Sequence, residues 1–320
     1  MKITIEKNID KRLDVYLTNY LDYSRNQIAD IIDNALILVN GKKQKSSYKL
    51  KVNDVLEYNE SDLEAFLNPD KELKPFEFKL DIRYEDDDLI ILNKPKGILT
   101  HPTKYEKEKT IANALIYHCG GNLANINSQR AGIVHRLDKN TAGLMIAVKN
   151  DKYYSDIADQ IKNKTLIRKY KAIVLGSPFD KKEGIINKSL VHYMKDNVKM
   201  LTVENEDEGL KAITKYKVLE EFKGASLVEL ELKTGRTHQI RVHMASTNHP
   251  VFGDTLYGAK SFMINEFYNL KTTEQLLQSY YISFEHPSLK KRMEFCLNEN
   301  EFSEDFIKVL KFLRSKKNEH

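Results

Sequence analysis

The chain has 320 residues, 41% hydrophobic and 30% charged, with 51 Lys and Arg against 46 Asp and Glu. That length supports one large domain or two smaller ones around a sizeable core, and so mild a basic excess rests any nucleic-acid reading on local clusters rather than on net charge. Two distant cysteines, Cys119 and Cys296, fit no metal or disulfide spacing, and neither a signal peptide nor a membrane-length apolar run is present, so a soluble, cytoplasmic chain is expected.

Residues 10–60 read as a small independent unit. Leu13, Leu17 and Leu21 fall four apart and give one apolar helix face over 11–21. Ser24 and Gln27 have capping-box spacing, and Ile28, Ile31, Ile32 and Ala35 form a second amphipathic face. Leu36 to Val39 reads as a strand, Asn40-Gly41 as a turn, and Val52-Asn53-Asp54-Val55-Leu56 as a turn leading into a strand. Between them Lys42, Lys43, Lys45, Lys49 and Lys51 occur with no acid. Alone, such a run is as well explained as a solvated loop. In Arg12-Leu13-Asp14, Ser24-Arg25, Val39-Asn40-Gly41 and Val52-Asn53-Asp54-Val55 the segment resembles the S-four-like RNA-binding domain, a small α/β module. The resemblance implies that Lys42, Lys43, Lys45 and Arg25, the last at a helix start, meet RNA phosphates.

Residues 61–76 lose periodicity, carry Pro69 and Pro75, and read as a linker, with the patch Leu63-Ala65-Phe66-Leu67 able to dock on a neighbour. A larger unit follows over 77–315. Leu80 to Tyr84 and Leu89 to Leu92 form a hairpin around Asp86-Asp87-Asp88, which is not read as a metal site because adjacent acids in a turn diverge. Asn93-Lys94-Pro95-Lys96-Gly97 is a turn, and Thr110 to Tyr117 a helix with Ile111, Ala114 and Leu115 inward.

The central stretch is Arg130 to Val148. Asp138 lies in a turn between two short apolar runs, Ile133-Val134 and Leu144 to Val148, with His135 and Arg136 before it and Lys139 after. A carboxylate on a loop held by strands and surrounded by cations is placed as catalytic groups are. Ser155 to Lys162 then reads as a helix and the basic run 162–171 ends in a strand on which Tyr170, Ala172 and Val174 share a face. Tyr170 there packs in a core or offers a base a stacking platform. Strands near 212–219 and 226–233 precede a helix from His238, capped by Thr237, with Ile240 and Met244 buried. His238, His243 and His249 lack zinc-ligand spacing.

Together, His135-Arg136-Leu137-Asp138-Lys139-x-Thr141-x-Gly143-Leu144, Asn93-Lys94-Pro95-x-Gly97, Lys169-Tyr170-x-Ala172, Gly235-Arg236-Thr237-His238-Gln239-Ile240-Arg241-Val242-His243, and His249-Pro250-x-x-Gly253-Asp254-x-x-Tyr257-Gly258 resemble the RluA family of RNA pseudouridine synthases, over about 76–313. The resemblance implies an α+β fold, a mixed, largely antiparallel sheet flanked by helices with a cleft across it. It implies that Asp138 is the catalytic carboxylate, Arg241 its salt-bridge partner, and Tyr170 the residue that stacks on uracil and assists the final proton removal. Arg136 would fill the gap left by the extruded nucleotide, and His135, Lys94, Lys139, Arg168, Lys169 and Arg236 are candidate RNA contacts. Gln278 stands where relatives carry His. No redox cofactor, nucleotide or catalytic metal is expected, because the isomerisation transfers no electrons and consumes no external nucleophile. Large-subunit ribosomal RNA is the expected substrate of a monomeric enzyme. Transfer RNA, or a non-catalytic role in ribosome assembly, are the alternatives.

Overall fold

Eleven residues separate Leu17 from Ile28, and both are fully buried, so the two leucine- and isoleucine-lined helix faces do pack on each other. The computed structural model describes residues 1–6, 11–21, 23, 25–67, 73–103, 106–124, 131–176, 179–193, 199–203, 209–258, 272 and 274–317, without the side chains of 64–65. The first unit consists of β1 (Lys2–Thr4), α1 (Leu13–Tyr20), α2 (Arg25–Asp33), β2 (Ile37–Val39), β3 (Val55–Tyr58) and α3 (Glu60–Leu67). Its strands form an antiparallel sheet in the order β1-β3-β2. Ser24, half of the expected capping box, lies outside the described residues.

Polar residues of the first unit serve its architecture. Asn40 accepts from the Val55 N–H and donates to Asp54 Oδ1 at 2.8 Å each, while Asp54 also accepts from Tyr48 Oη and the Lys51 N–H. The turn before the lysine tract is thereby tied to the turn after it. Asn40 itself has φ +53°, a backbone region that Asn tolerates better than most residues. The expected linker is corrected at its start: residues 60–67 are helix α3, whose Leu63 is fully buried in the first unit's core. Eight acidic, small and apolar residues without a clear stripe concealed it.

The second unit follows as β4 (Ile82–Glu85), β5 (Leu89–Lys94), α4 (Ile111–Cys119), β6 (Ala142–Val148), α5 (Tyr154–Lys162), β7 (Ile167–Leu175), β8 (Glu183–Asn187), β9 (Ser189–His192), β10 (Met200–Val203), β11 (Ile213–Phe222), β12 (Ala225–Leu232), α6 (Gln239–Ser246), β13 (Leu277–Glu285), β14 (Arg292–Cys296) and α7 (Glu304–Lys317). Nine strands form one sheet, ordered β4-β5-β6-β13-β7-β12-β11-β8, with β14 added on β13. Every pairing is antiparallel except β6 with β13, which meet in parallel at Gln278↔Ala142 and Ser279↔Gly143. Gly143 has φ +125°, and a Cβ there would lie 2.0 Å from the Ser279 carbonyl oxygen, so only glycine permits that contact.

Helices cover both faces. On one, Ile157 of α5 and Phe306, Val309, Leu310 and Leu313 of α7 join the core. On the other, Ile111 and Leu115 of α4 and Ile240 and Met244 of α6 belong to a second buried cluster, which includes Tyr170. The helix α4 starts at a Thr110–Asn113 capping box. Thr237 is not the cap of α6: His238 holds that position in the left-handed region, φ 55°, with no side-chain cap bond. Strands β8 to β10 escaped the sequence. Ile185 on β8 is largely exposed, and β9 with β10 forms a separate hairpin whose Leu190 and Met200 pack on Val242 of α6. No helix among the described residues is long and apolar enough to cross a membrane.

If α3 belongs to the first unit's core, Leu63→Ala should destabilise that unit by roughly 2–5 kcal/mol. In urea unfolding of the full chain this would appear as an earlier N-terminal transition, whereas an unchanged curve would assign α3 to a dispensable connection.

Candidate active site

Asp138 projects from the loop that enters β6, and Arg241 reaches it from the first turns of α6. Arg241 Nη1 donates to Asp138 Oδ2 at 3.1 Å. The same guanidinium donates through Nε and Nη2 to both oxygens of Asp254, at 2.6 and 2.9 Å. Arg241 and Asp254 are buried. One cation thus serves two carboxylates, and the bidentate pair with Asp254 fixes the plane from which the third donor reaches Asp138. The guanidinium also lies over the Tyr257 ring, 5.1 Å from its centroid.

Burial alone would raise the Asp138 pKa, but His238, Arg241 and Arg136 outweigh it and hold the carboxyl below its ordinary value. His238 Nε2 stands 3.9 Å from Asp138 Oδ2, and its Nδ1 is hydrogen-bonded to Tyr257 Oη at 2.9 Å. Burial lowers the pKa of His238 itself, so near neutral pH Arg241 is the charged partner. Oδ1 of Asp138 accepts no hydrogen bond from the described residues, leaving it available to a substrate.

The loop bearing Asp138 is clamped from beneath. Lys94, expected as an RNA contact, is fully buried and donates to the carbonyls of Pro95, Ile98 and Lys139 at 2.8, 2.9 and 3.0 Å. Burial lowers its pKa to about 7, against the pull of Asp138. Thr100 Oγ1 donates to the Leu137 carbonyl at 2.7 Å and accepts from the Leu137 N–H, while the Gly97 N–H donates to the Lys139 carbonyl. His135 is likewise structural at one nitrogen, its Nε2 accepting from the Ile146 N–H at 3.1 Å. That bond requires a neutral ring, and burial lowers its pKa to about 3.

Above this floor opens a cleft of about 700 Å³. Its described lining holds seven Lys and Arg and a single carboxylate, Asp138. Tyr170, Arg136, Arg168 and Arg236 all line it, and Tyr170 is held protonated by burial. Arg236 also donates through Nε to the Lys211 carbonyl.

Other expected contacts lie elsewhere. Lys169 alternates with Tyr170 on β7 and so faces the opposite side of the sheet, 3.5 Å from Glu229 and over the Tyr281 ring. Lys139 is paired with Glu106 at 2.5 Å. In the first unit, Arg25 reaches Asp14 at 3.4 Å beside the bidentate Arg12, Lys43 donates to the Asp33 carbonyl at the end of α2, and Lys42 and Lys45 are exposed. Gln278 is buried and accepts from the Ser303 N–H, so it makes a structural contact.

Sequence reasoning assigned no role to Asp254 or Tyr257, although both stood in the quoted run 249–258, and considered His238 only as a metal ligand. The three histidines occupy separate places: His243 bonds Thr214 and the Lys188 carbonyl, and His249 stacks on Phe179. His286, 200 residues away, joins Asp86 and Asp88. Those groups already bond one another and their neighbours: Asp86 Oδ2 meets His286 Nε2 and Tyr84 Oη, Asp86 Oδ1 accepts the Asp88 and Leu89 N–H groups, and Asp88 accepts from Ser288 and Asn150. The arrangement closes the hairpin turn onto the β13–β14 connection.

Comparison with known proteins agrees with this geometry. A family model described as RNA pseudouridylate synthase matches residues 88–246, and the S4 domain model matches 11–56. The chain is 35% identical to the RNA pseudouridine synthase YlyB of Bacillus subtilis, over 97% of this chain and 96% of the relative. It is 33% identical to ribosomal large subunit pseudouridine synthase D of Buchnera aphidicola over 94% of each chain, and 38% identical to the protein of the same name from Zymomonas mobilis over 69% and 70%. Among solved structures, human RNA pseudouridylate synthase domain containing 4 shares the fold with a TM-score of 0.56 at 24% identity, covering 73% of this chain and 92% of its own.

Two outcomes follow from the site's electrostatics. Asp254→Asn removes half of a buried pair and should cost roughly 3–5 kcal/mol in urea unfolding; a cost below about 1 kcal/mol would mean that Asp254 does not anchor Arg241. His135 titrates near its ordinary 6.5 when unfolded and about 3 when folded, so the unfolded chain binds the extra proton and stability is lost as pH falls below 6.5. His135→Gln, whose amide oxygen can accept from Ile146, should therefore lose roughly 2 kcal/mol less than the parent between about pH 7 and pH 5. Parallel stability curves would contradict the neutral, accepting ring.

Proposed function

The chain belongs to the RNA pseudouridine synthase family, and from that premise we propose that it isomerises uridines of large-subunit ribosomal RNA through Asp138. The observation that carries the reading is an ionised carboxylate, paired among the described residues at one oxygen with Arg241, in a cleft whose other described Asp, Glu, Lys and Arg residues are all cations. Such a cleft suits a polyanion, whose phosphates are met by Lys and Arg, while the lone carboxylate is spared for chemistry. Pseudouridine formation breaks the bond from the anomeric carbon to the uracil nitrogen, turns the base, and joins carbon five to the same sugar carbon. Asp138 serves either by attacking the anomeric carbon, as a retaining glycosidase nucleophile does, or by taking a sugar proton to give a glycal. Both routes need it charged, and Arg241 supplies that condition.

Tyr170 offers its ring to the uracil, a contact worth roughly 1–3 kcal/mol. Its raised pKa keeps the phenol protonated, which favours stacking over proton removal as its part. Arg136, exposed at the cleft, is placed to fill the space left by an extruded nucleotide, whose unstacking costs a few kcal/mol. Ribosomal RNA is the favoured substrate because relatives similar over nearly the whole chain carry that name and because the first unit matches an S4 domain. The exposed Lys42 and Lys45 of that unit are its candidate phosphate contacts. The two free cysteines suit a monomer working in the reducing cytoplasm.

Asp138→Asn should reduce pseudouridine formation on transcribed large-subunit ribosomal RNA by roughly 10⁴-fold or more while RNA affinity stays within about threefold. Activity retained in this variant would end the assignment of Asp138. Activity on transfer RNA but not on ribosomal RNA would redirect the substrate.

A further inference from the structure

Arg168 is the one cleft cation that is both deeply buried, 5% exposed, and without a hydrogen-bond or carboxylate partner among the described residues. It stands two residues before Tyr170 on β7 and faces the same side of the sheet. Its guanidinium lies under the Gly235 turn, so closely that a Cβ on Gly235 would come within 3.1 Å of Nη1. Beside it is His135. Because His135 Nε2 accepts from Ile146, the ring proton sits on Nδ1, and this buried N–H has no partner either. Arg168 Nε is the second such orphan lining the cleft. Buried donors nearly always find acceptors, and an uncompensated buried cation is costly to keep.

We propose that Arg168, supported by the His135 Nδ1–H, forms a built anion subsite that takes one RNA phosphate, the phosphodiester adjoining the uridine whose base rests on Tyr170. The assignment rests on the pseudouridine synthase reading above. Arg168 is always charged, and its fork matches a phosphate through two parallel N–H donors. Two residues along an extended strand is about 7 Å, the scale on which a nucleotide's phosphate stands off from its own base. The single carboxylate in the cleft's described lining, Asp138, has Arg241 as its hydrogen-bond partner, so the acceptor for Arg168 has to arrive with the ligand. The exposed Lys and Arg of the rim hold phosphates by charge, whereas this subsite would hold one by position.

The test uses the full chain and its Arg168→Met and Arg168→Lys variants, each also in the Asp138→Asn background so that binding is read without turnover. Binding to a large-subunit ribosomal RNA transcript is followed across salt concentration. For Arg168→Met the slope of log affinity against log salt should become shallower by about 0.7–0.9, the value for one phosphate contact. Affinity should fall about tenfold, and Arg168→Lys should restore the slope but not the whole affinity. Removing an unpartnered buried charge should leave the melting temperature of the free protein unchanged or raised. Weaker binding with an unchanged slope would mean a contact to the base or sugar and would overturn the proposal, as would a lowered melting temperature with unaltered RNA affinity, which marks a structural role. Because these readouts need no product, a chain that forms no pseudouridine yet shows the slope change would refute the proposed function while leaving the subsite in place.

Discussion

Everything at this site depends on a single buried guanidinium shared by two carboxylates. Arg241 cannot leave water without compensation, since an isolated buried cation costs several kcal/mol. Asp254 provides that compensation through two hydrogen bonds and in doing so orients Nη1 toward Asp138. Asp138 is therefore charged by proximity and aimed by geometry, with one oxygen engaged and the other free of hydrogen bonds from the described residues. The arrangement needs three distant segments at once: the loop before β6, the first turn of α6, and the turn at Gly253. At the last, a Cβ would lie 2.2 Å from the Glu274 carbonyl oxygen, which explains why glycine precedes Asp254.

Holding the carboxylate in place falls to groups that never reach substrate. The Lys94 ammonium gathers carbonyls from the turn after β5 and from the loop after Asp138, while Thr100 bonds both polar groups of the Leu137 backbone. These bonds tie the Asp138 loop to the rigid end of the β4–β5 hairpin. A carboxylate fixed in this way loses little freedom when substrate arrives, which is how preorganised sites lower a barrier. Lys94 does this as a hydrogen-bond donor at the edge of its own titration, since burial has brought its pKa to about 7.

Much of this was readable beforehand, and the failures have physical causes. Alternation along β7 placed Tyr170, Ala172 and Val174 on one face; the same alternation, carried one step back, includes Arg168 and excludes Lys169, whose expected RNA contact ignored it. The turn chemistry of Asn93 to Gly97 was legible, but the direction of the Lys94 side chain was not, because a lysine near a turn is ordinarily solvated and only three convergent carbonyls reverse that. The pairing of Asp138 with Arg241 came from resemblance: 103 residues separate them, and no local pattern joins such positions. Asp254 lay in a quoted motif yet had no visible role until the fold brought it to Arg241. Strand β8 and the β9–β10 hairpin were missed because they are edge structures with mixed faces, where tertiary pairing rather than periodicity decides.

The cleft's cations act on two things at once. They create a field that draws in phosphates, and one of the same charges, Arg136, also stabilises the ionised form of Asp138. Affinity for a polyanion and readiness of the carboxylate are thus coupled through a common residue. Arriving phosphates neutralise part of that field and would let the Asp138 pKa rise, unless one cation is reserved for the carboxylate and sealed from the ligand. Arg241, buried behind Asp138 and bound to Asp254, is so reserved. The shared guanidinium therefore does more than orient the carboxylate: it keeps Asp138 ionised after RNA has occupied the rest of the positive surface.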